Sequence, residues 1–356
     1  MIDLKYELIN IGINKKFNPI ITTDYEEIKL NSNYLYSINN KEIEKKQKNI
    51  AKALSNKIQL NSSSVAYKKH LSYYDFLLPH KDNYNFIRLD IKSFFYSIKE
   101  KYIRKAFANY FKNIDNTREL LLEDESKAID SFINIIMIDI QKNSKNIKYR
   151  DKKILPIGFS TSPIISNIVF RFLDIQIQRL CSQNKITYTR YADDMLFSSP
   201  KNRNKYITLD TFIEDIQKII SQLDLRLNNK KTIKRNHTIS LNGYIISNGE
   251  IRLSNKKTDI IKKLIHNYNT GINHKDILNK LFNYELPTQC NFKNSDKAKL
   301  YKHQLLNKLT GYRSFLISII KFDKKHNIFN NENNTNKKYS KLKSEIESII
   351  DDLNIN

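Results

Sequence analysis

The sequence has little of several residue types that define whole classes of protein. Two cysteines, Cys181 and Cys290, are too few for a disulfide framework or a four-thiolate zinc site, which indicates a reducing compartment such as the cytoplasm. Gly 6 and Pro 6 exclude a collagen-like or linker-dominated chain. The N-terminus has no apolar segment of signal-peptide length, and no apolar run is long enough to predict a membrane span.

Positive charge, by contrast, is present in large excess. Lys and Arg number 61 against 37 Asp and Glu, which leaves a formal net charge of +24. The hydrophobic fraction of 40% is enough for a sizeable core, so global disorder is not expected. A charge of this size favours a polyanionic partner, nucleic acid before an anionic membrane, and 21 tyrosines are available to stack on bases.

Hydrophobic periodicity predicts strands and helices in an α+β order. Strands are predicted over 84–91 and on both sides of a tight acidic turn within 186–199, and a hairpin over 238–253 around Ser247-Asn248-Gly249. Helices are predicted over 46–60, 98–112, 118–142, from Ser162-Pro163 onwards, 208–225, and 256–323 with breaks near 270–273 and 285–295. Residues 1–45 have no clear period, 327–338 is a low-complexity linker, and 339–353 fits a short helix.

Three carboxylates lie on or beside strands that are otherwise apolar. Asp90 ends the strand FIRLD, and Asp193 and Asp194 lie within RYADDMLF. Each alone is more often a turn former or helix cap than a catalytic group. A buried carboxylate costs several kcal/mol unless it is paired or bound to metal. If the two strands are neighbours, the acids repel one another, and Mg²⁺ is the hard cation that relieves this repulsion and also binds phosphates.

A third motif, LPIGFSTSPIISN at 155–167, lies between the two acidic segments. Gly158 allows close approach of the backbone to a ligand, and Ser162-Pro163 is a good helix start, with Ser162 as the predicted N-cap. Taken alone, this segment is as readily a glycine-containing loop before a helix. Its order and spacing relative to the acids make it informative.

Together these motifs resemble the palm motifs of reverse transcriptases, and most widely those of bacterial retron-type enzymes. The further matches are LNNKKT (227–232) with a lysine motif, LNGY (241–244) with a primer grip, and LTGYRSFL (309–316) with the first thumb segments. The resemblance covers about 46–320. It implies a right-hand polymerase fold, in which fingers and palm contain an antiparallel sheet plus helices and the thumb is α-helical.

The resemblance also implies residue ranges for these parts of the fold. The N-terminal region and part of the fingers would occupy 1–80, the fingers and palm core 81–250, and the helical thumb 251–326. The linker and short C-terminal helix would occupy 327–356.

The resemblance further implies a role for individual residues. Asp90, Asp193 and Asp194 would be catalytic and, with Ile91, would hold two Mg²⁺ ions, for which Mn²⁺ could substitute. Phe95 would be a steric gate against the ribose 2′-OH, although it could equally be a core residue. Nucleotide-binding roles fall to Gly158, Ser162 and Lys231, of which Lys231 is as readily a solvated lysine. Gly243 and Tyr244 would grip the primer end, or simply pack in a hairpin.

Two departures from the family pattern affect the function that is expected. Ile157 stands where many reverse transcriptases have Gln, and the finger motif with a triphosphate-binding Arg is unclear, Lys68 and Lys69 being its only candidates. These features look more like defence-associated or abortive-infection reverse transcriptases than typical retrons.

We therefore expect an RNA-directed DNA polymerase of the bacterial cytoplasm. Its expected partners are dNTPs, a structured noncoding RNA template, the DNA product, and an effector or second defence protein. The alternatives are a template-independent or protein-primed DNA polymerase, an RNA-dependent RNA polymerase, which Phe95 argues against, and a non-catalytic RNA-binding scaffold.

Overall fold

The computed structural model describes residues 17–30, 33–110, 125–201, 206–285, 294–329 and 334–355. The chain divides into two compact units, of which the first is Met1–Pro79 with Asn85–Lys234 and the second is His80–Tyr84 with Arg235–Asn356. Within the described ranges, no helix combines the length and the apolar character that crossing a bilayer requires. The predicted helical residues 118–124 and Cys290 lie outside these ranges.

The strands of the first unit form one larger sheet and two short hairpins. They are β1 (Tyr25–Leu30), β2 (Asn33–Ile38), β3 (Asn85–Asp90), β4 (Ile138–Asp139), β5 (Lys153–Ile154), β6 (Thr187–Tyr191), β7 (Asp194–Ser199) and β8 (Ile233–Asn236). The first unit ends at Lys234, which lies within β8. The four-stranded sheet has the order β6-β7-β3-β8, and β7 is antiparallel to both β6 and β3. β7 is buried along its whole length, as expected for a strand that lies between two others, and its apolar residues are Met195, Leu196 and Phe197.

The helices of the first unit surround a core of aliphatic and aromatic side chains. They are α1 (Lys41–Lys57), α2 (Tyr73–Leu77), α3 (Phe94–Ser97), α4 (Glu100–Phe107), α5 (Glu125–Ile136), α6 (Ser162–Gln183) and α7 (Asp210–Ser221). Along α6, Ile165, Leu173 and Ile177 are fully buried and join Leu89 of β3 and Phe197 of β7 in one hydrophobic cluster. This packing fixes α6 beneath the strands that carry the acidic motifs.

The N-terminal part of the chain contains more regular structure than its sequence predicts. β1 and β2 pair as an antiparallel hairpin, and α1 begins at Lys41, five residues before the predicted start at residue 46. The Asn40 side chain explains that start, because it accepts hydrogen bonds from the backbone N–H groups of Glu42 and Ile43. The hairpin was missed because its burial does not alternate from residue to residue along either strand.

The second unit combines a small sheet with the C-terminal helices. Its elements are β9 (Thr238–Leu241), β10 (Tyr244–Ser247), β11 (Glu250–Leu253), α8 (Asn255–Asn269), α9 (His274–Phe282), α10 (Asn294–His326) and α11 (Thr335–Ile355). The predicted hairpin is confirmed, since Ser247 pairs with Glu250 across its turn, and β9 adds a third antiparallel strand. Helix α11 begins before the predicted residue 339. Its first residue is Thr335, whose hydroxyl donates to Glu250 Oε1 at 2.7 Å.

The α+β class, with antiparallel sheets and helices, is therefore confirmed. The strand predicted at 84–91 and the paired strands around the acidic turn occur as expected, and most helical regions end within a few residues of the predicted limits. The helix predicted to run to residue 142 is an exception, because it ends at Ile136 and Ile138–Asp139 forms β4, which pairs with β5. The division into fingers, palm and thumb by residue range remains a prediction.

Candidate active site

The register of the central sheet brings the acidic motifs together. In the antiparallel pairing of β3 with β7, Asp90 lies directly opposite Asp194. Asp193 is in the turn between β6 and β7, where Ala192 has a left-handed φ of +58°. The backbone N–H of Ile91 donates to the Asp193 carbonyl at 3.0 Å, which ties this turn to the end of β3. Three carboxylates separated by about a hundred residues of chain thus share one end of the sheet.

The carboxylates of this site are close to one another and largely shielded from solvent. Asp90 is 2% exposed and Asp194 is 8% exposed. Burial raises the pKa of Asp193 to about 6, and the neighbouring charges of Asp194 and Asp90 contribute in the same direction. Burial also raises the pKa of Asp194, against the opposing effect of Arg88. Ionising the whole set without a cation is therefore unfavourable.

Two cationic side chains partly neutralise the set. Arg88 Nε donates to Asp194 Oδ1 at 2.8 Å, and its guanidinium forms an ion pair with the same oxygen. Lys231 Nζ lies 3.0 Å from Asp90 Oδ2, while Asn228 Nδ2 donates to Asp90 Oδ1 at 3.0 Å. The nucleotide-binding role that the resemblance implies for Lys231 remains a prediction, and Arg88 and Asn228 were missed.

The donor chemistry at this end of the sheet fits magnesium. Carboxylate oxygens are the hard ligands that Mg²⁺ prefers, and a divalent cation relieves the repulsion that raises the pKa of Asp193. In the part of the chain that the structure describes, no three His, Cys, Asp or Glu side chains are arranged as ligands of one ion. Since Arg88 and Lys231 bind oxygens of Asp194 and Asp90, a bound metal would share these carboxylates with the two cations or displace them.

A fully buried ion pair lies directly behind the acidic turn. Arg190 and Asp174 are both 0% exposed. Arg190 donates to Asp174 through Nε at 2.9 Å and through Nη2 at 2.7 Å, and its Nη1 donates to the carbonyl of Ala192 at 2.9 Å. The guanidinium also stacks 4.4 Å from the Phe170 ring centroid. Arg190 therefore holds the backbone of the turn that carries Asp193.

The same arginine anchors the segment that precedes Lys68. Its Nη2 donates to the Ser64 hydroxyl at 3.1 Å, its backbone N–H donates to Ser63 O at 2.7 Å, and its carbonyl accepts from the Val65 N–H at 2.8 Å. Sequence reasoning missed this network. The available signal was a pair of opposite charges on two elements of the core, Asp174 on α6 and Arg190 on β6, because a buried charge requires a partner.

Aromatic rings lie beside the acids. Phe95, on α3, is half-buried, and its ring centroid is 5.4 Å from that of Phe94 and 6.5 Å from that of Tyr67. Tyr67 is 46% exposed with a φ of +64°, an unusual conformation for a bulky residue. Burial of its hydroxyl and the charge of Asp193 raise the pKa of Tyr67 to about 12. Phe95 thus borders an aromatic surface that faces the acidic turn. Tyr67 was not identified from the sequence as part of the site.

A cavity of about 470 Å³ adjoins this aromatic surface. Tyr67, Lys68 and Lys69 line it together with Ile164 of α6. Lys68 Nζ donates to the Asn61 carbonyl at 3.0 Å, and burial lowers the pKa of its ammonium group. The two lysines that the sequence offered for triphosphate binding therefore share one cavity.

The predicted loop before α6 is held by packing within the protein. Gly158 has a φ of +110°, and a Cβ there would collide with the backbone carbonyl of Tyr36. The neighbouring Ile157 carbonyl accepts from the Tyr36 N–H at 2.8 Å. Ser162 is buried, and its hydroxyl donates to Pro156 O at 2.6 Å. The helix cap lies one residue earlier than predicted, at Thr161, so the Ser162 hydroxyl stabilises the loop instead of capping the helix.

The predicted primer-grip residues lie in the second unit. Asn242 and Gly243 form the turn between β9 and β10, with φ values of +48° and +87°, as a two-residue hairpin turn of this hand requires. Tyr244 is buried, and its ring centroid is 5.2 Å from that of Phe315 on α10. Their role as a primer grip remains a prediction.

Curated relatives of this chain include retron reverse transcriptases. Over 180 residues the chain is 32% identical to the Escherichia coli retron Ec73 reverse transcriptase, covering 49% of this chain and 51% of that protein. Over 153 residues it is 30% identical to the Escherichia coli retron Ec83 reverse transcriptase, covering 43% and 44% respectively. The chain spans about half the length of these relatives. The resemblance to bacterial retron-type enzymes is therefore confirmed, and the finer placement among defence-associated enzymes remains a prediction.

The chain also resembles solved structures and matches a family model. A telomerase from Candida albicans aligns with a TM-score of 0.43 and 14% identity, over 87% of this chain and 56% of that one. The family model described as reverse transcriptase (RNA-dependent DNA polymerase) matches residues 30–246, which include all three acids. This match extends over more than half of the sequence, and the chain belongs to the reverse transcriptase family.

Proposed function

We propose that this protein is an RNA-directed DNA polymerase that extends a primer 3′-OH with dNTPs on an RNA template. The observation on which the proposal depends is the register that sets Asp90 opposite Asp194, with Asp193 in the adjoining turn. Membership of the reverse transcriptase family supports the same reaction. A scaffold without activity would gain nothing from three acids whose burial and proximity oppose their ionisation.

Asp90, Asp193 and Asp194 are the proposed catalytic residues and, with the backbone carbonyl of Ile91, the proposed holders of two Mg²⁺ ions, for which Mn²⁺ could substitute. When bound, such ions activate the attacking hydroxyl and stabilise the leaving oxygen in phosphoryl transfer. The protein supplies the position of the carboxylates, since the β3–β7 register and the bond from Ile91 to Asp193 fix their backbones. Lys231 is 56% exposed in its side chain and can turn from Asp90 towards a triphosphate, where its charge would help pyrophosphate leave.

The nucleotide is proposed to bind between the acidic turn and the aromatic surface. Phe95 is proposed to meet a ribose 2′-OH with its ring, and Lys68 and Lys69 are proposed to bind phosphates from the adjoining cavity. Gly158 and Ser162 are proposed to shape the same pocket through their loop. Because the Ser162 hydroxyl donates to the Pro156 carbonyl, Ser162 would contribute by holding the loop backbone in position.

The template and biological setting are proposed from the relatives. Retron reverse transcriptases are among the curated proteins that the chain matches, and we propose a dedicated structured noncoding RNA as the template. The proposed setting is the bacterial cytoplasm, in antiphage defence with an effector or second defence protein. Sequencing of nucleic acid that copurifies with the protein would identify the template and reveal any covalent attachment of the product.

Primer extension on a defined RNA–DNA hybrid tests the activity. The wild-type protein with Mg²⁺ should incorporate dNTPs in a template-dependent manner, and D90N and D193N should lose at least about a hundredfold in rate, as expected when groups that stabilise transition-state charge are removed. D224N is the matched control, because Asp224 is an exposed acid paired with Lys99 and Lys101. Product without template would favour a template-independent enzyme, product linked to protein a protein-primed one, and no product with any divalent ion would refute the proposal.

A further inference from the structure

Lys257, near the start of α8, is a half-buried cation without an acidic partner. Its Nζ lies 3.4 Å from the ring centroid of Phe315 and 5.5 Å from that of Tyr244. Among the described residues, no carboxylate lies within ion-pair distance of this ammonium group. Burial alone lowers the pKa of Lys257, with no compensating acid.

The surrounding backbone is built to admit this side chain. The Ser254 N–H donates to the Gly243 carbonyl at 2.8 Å, and Ser254 then caps α8, which brings the helix start to the turn between β9 and β10. A Cβ on Gly243 would lie 3.0 Å from Lys257 Cδ and 3.2 Å from Nζ. The φ of +87° favours glycine at this position, and a Cβ there would crowd the Lys257 side chain.

An uncompensated cation in this setting indicates an anion from outside the chain. Partial burial removes water from the ammonium group, and the two rings return only part of the lost solvation energy. Elsewhere in the second unit, the half-buried Arg313 has a carboxylate partner in Glu347 at 2.7 Å. A protein with a net charge of +24 and a nucleic-acid substrate has phosphate as the natural counter-ion.

We propose that Lys257 binds a backbone phosphate of the nucleic acid that lies on the Gly243–Tyr244 turn. The inference rests on the proposed function and extends it, because it adds a side-chain contact from α8 to the proposed primer grip. The rings of Phe315 and Tyr244 hold the ammonium group in place before the ligand arrives, which reduces the entropy lost on binding.

The test compares K257M with K256M. Lys256 is the exposed neighbour on the same helix, so both variants remove one charge, while only K257M removes the proposed contact. Binding of a fluorescent RNA template with an annealed DNA primer is measured by anisotropy across a salt series, without dNTPs or Mg²⁺. K257M should bind roughly tenfold more weakly and reduce the slope of log affinity against log salt by about 0.7–0.9, with a smaller change for K256M.

A stability measurement separates binding from a merely structural role. Met fills the same space without a charge to desolvate, so K257M should unfold at the same urea concentration as the wild type or a higher one. Equal binding and salt slope in K257M and K256M would overturn the inference, as would a lowered unfolding midpoint that accounts for the lost affinity. If the wild type neither binds nor extends the hybrid, the proposed function itself has failed, which is a different result.

Discussion

At Asp193, burial and neighbouring charge act in the same direction. Loss of solvent and the carboxylates of Asp194 and Asp90 all raise its pKa, to about 6. Arg88 and Lys231 neutralise the two neighbours, but neither is hydrogen-bonded to Asp193 in the described structure. The residue proposed to do chemistry therefore carries a stability cost when it is ionised.

This cost predicts a pH-dependent gain in stability for D193N. In the unfolded chain the Asp193 carboxyl has its ordinary pKa of 3.8, so the folded state loses stability as pH rises from about 4 through 6. Asn stays neutral, and D193N should be more stable than the wild type at pH 7.5 in EDTA, by about 1–3 kcal/mol. The gain should vanish near pH 4. Urea unfolding at both pH values measures this gain. D224N should show no gain, because Lys99 and Lys101 lower the pKa of the Asp224 carboxyl in the wild type.

Phe95 gives a second prediction at the scale of one residue. If its ring excludes the ribose 2′-OH, F95A should reduce the preference for dNTPs over rNTPs by about 10–200-fold in kcat/KM, the range expected for a change in pocket shape. F94L is the control, because Phe94 is 3% exposed and packs on Phe170 in the core. F94L should lower stability without changing sugar selectivity, and an unchanged preference in F95A would mean that Phe95 is a packing residue.

At the scale of elements, the acidic turn depends on a helix that lies behind it. Asp174 on α6 binds Arg190 on β6, and Arg190 binds the carbonyl of Ala192 in the turn. The hydroxyl of Tyr188, also on β6, donates to Asp174 Oδ1 at 2.8 Å. Helix, strand and turn are thus joined by a buried network in which each charge has a partner.

Breaking this pair on one side should be more damaging than removing both charges. R190M leaves Asp174 buried without its cation and should lower the free energy of unfolding by about 3–5 kcal/mol. Adding D174N removes the orphaned charge, so the double variant should be more stable than the sum of the single losses predicts. A urea double-mutant cycle measures this coupling, and additive losses would argue that the two charges act independently.

At the scale of the whole molecule, the net charge of +24 should dominate encounters with nucleic acid. The proposed contact of Lys257 is one among many that the excess of Lys and Arg can supply. Charge of this kind determines how tightly and how fast polyanions bind, whereas the sheet register determines which chemistry follows.

Binding of an RNA–DNA hybrid should therefore weaken steeply with salt. Between 50 and 200 mM monovalent salt, affinity should fall by roughly 10³-fold or more, as expected for six or more phosphate contacts. Anisotropy titrations at several salt concentrations give the slope directly. A fall of less than about tenfold would mean that most of the lysines are solvated and take no part in binding.

Much of the site could be predicted from the sequence because its signals are local. An acid at the end of an apolar strand, an acidic pair between two strands and a Ser-Pro helix start each depend on a few consecutive residues. The periods of strands and helices placed most elements within a few residues of their observed limits. The exceptions, such as the β1–β2 hairpin, lack a clean period because their burial is irregular.

The sequence by itself therefore determined the class of fold, the family, and which three acids would meet if the strands that carry them are neighbours. Only the tertiary structure decided which cation faces which acid, since Arg88 reaches Asp194 and Lys231 reaches Asp90 across more than a hundred residues of chain. It also decided that Arg190 holds the acidic turn and that Lys257 lies against Gly243, with no acidic partner among the residues that the structure describes. These contacts depend on strand register and helix packing, which bring together residues whose spacing along the chain carries no such information.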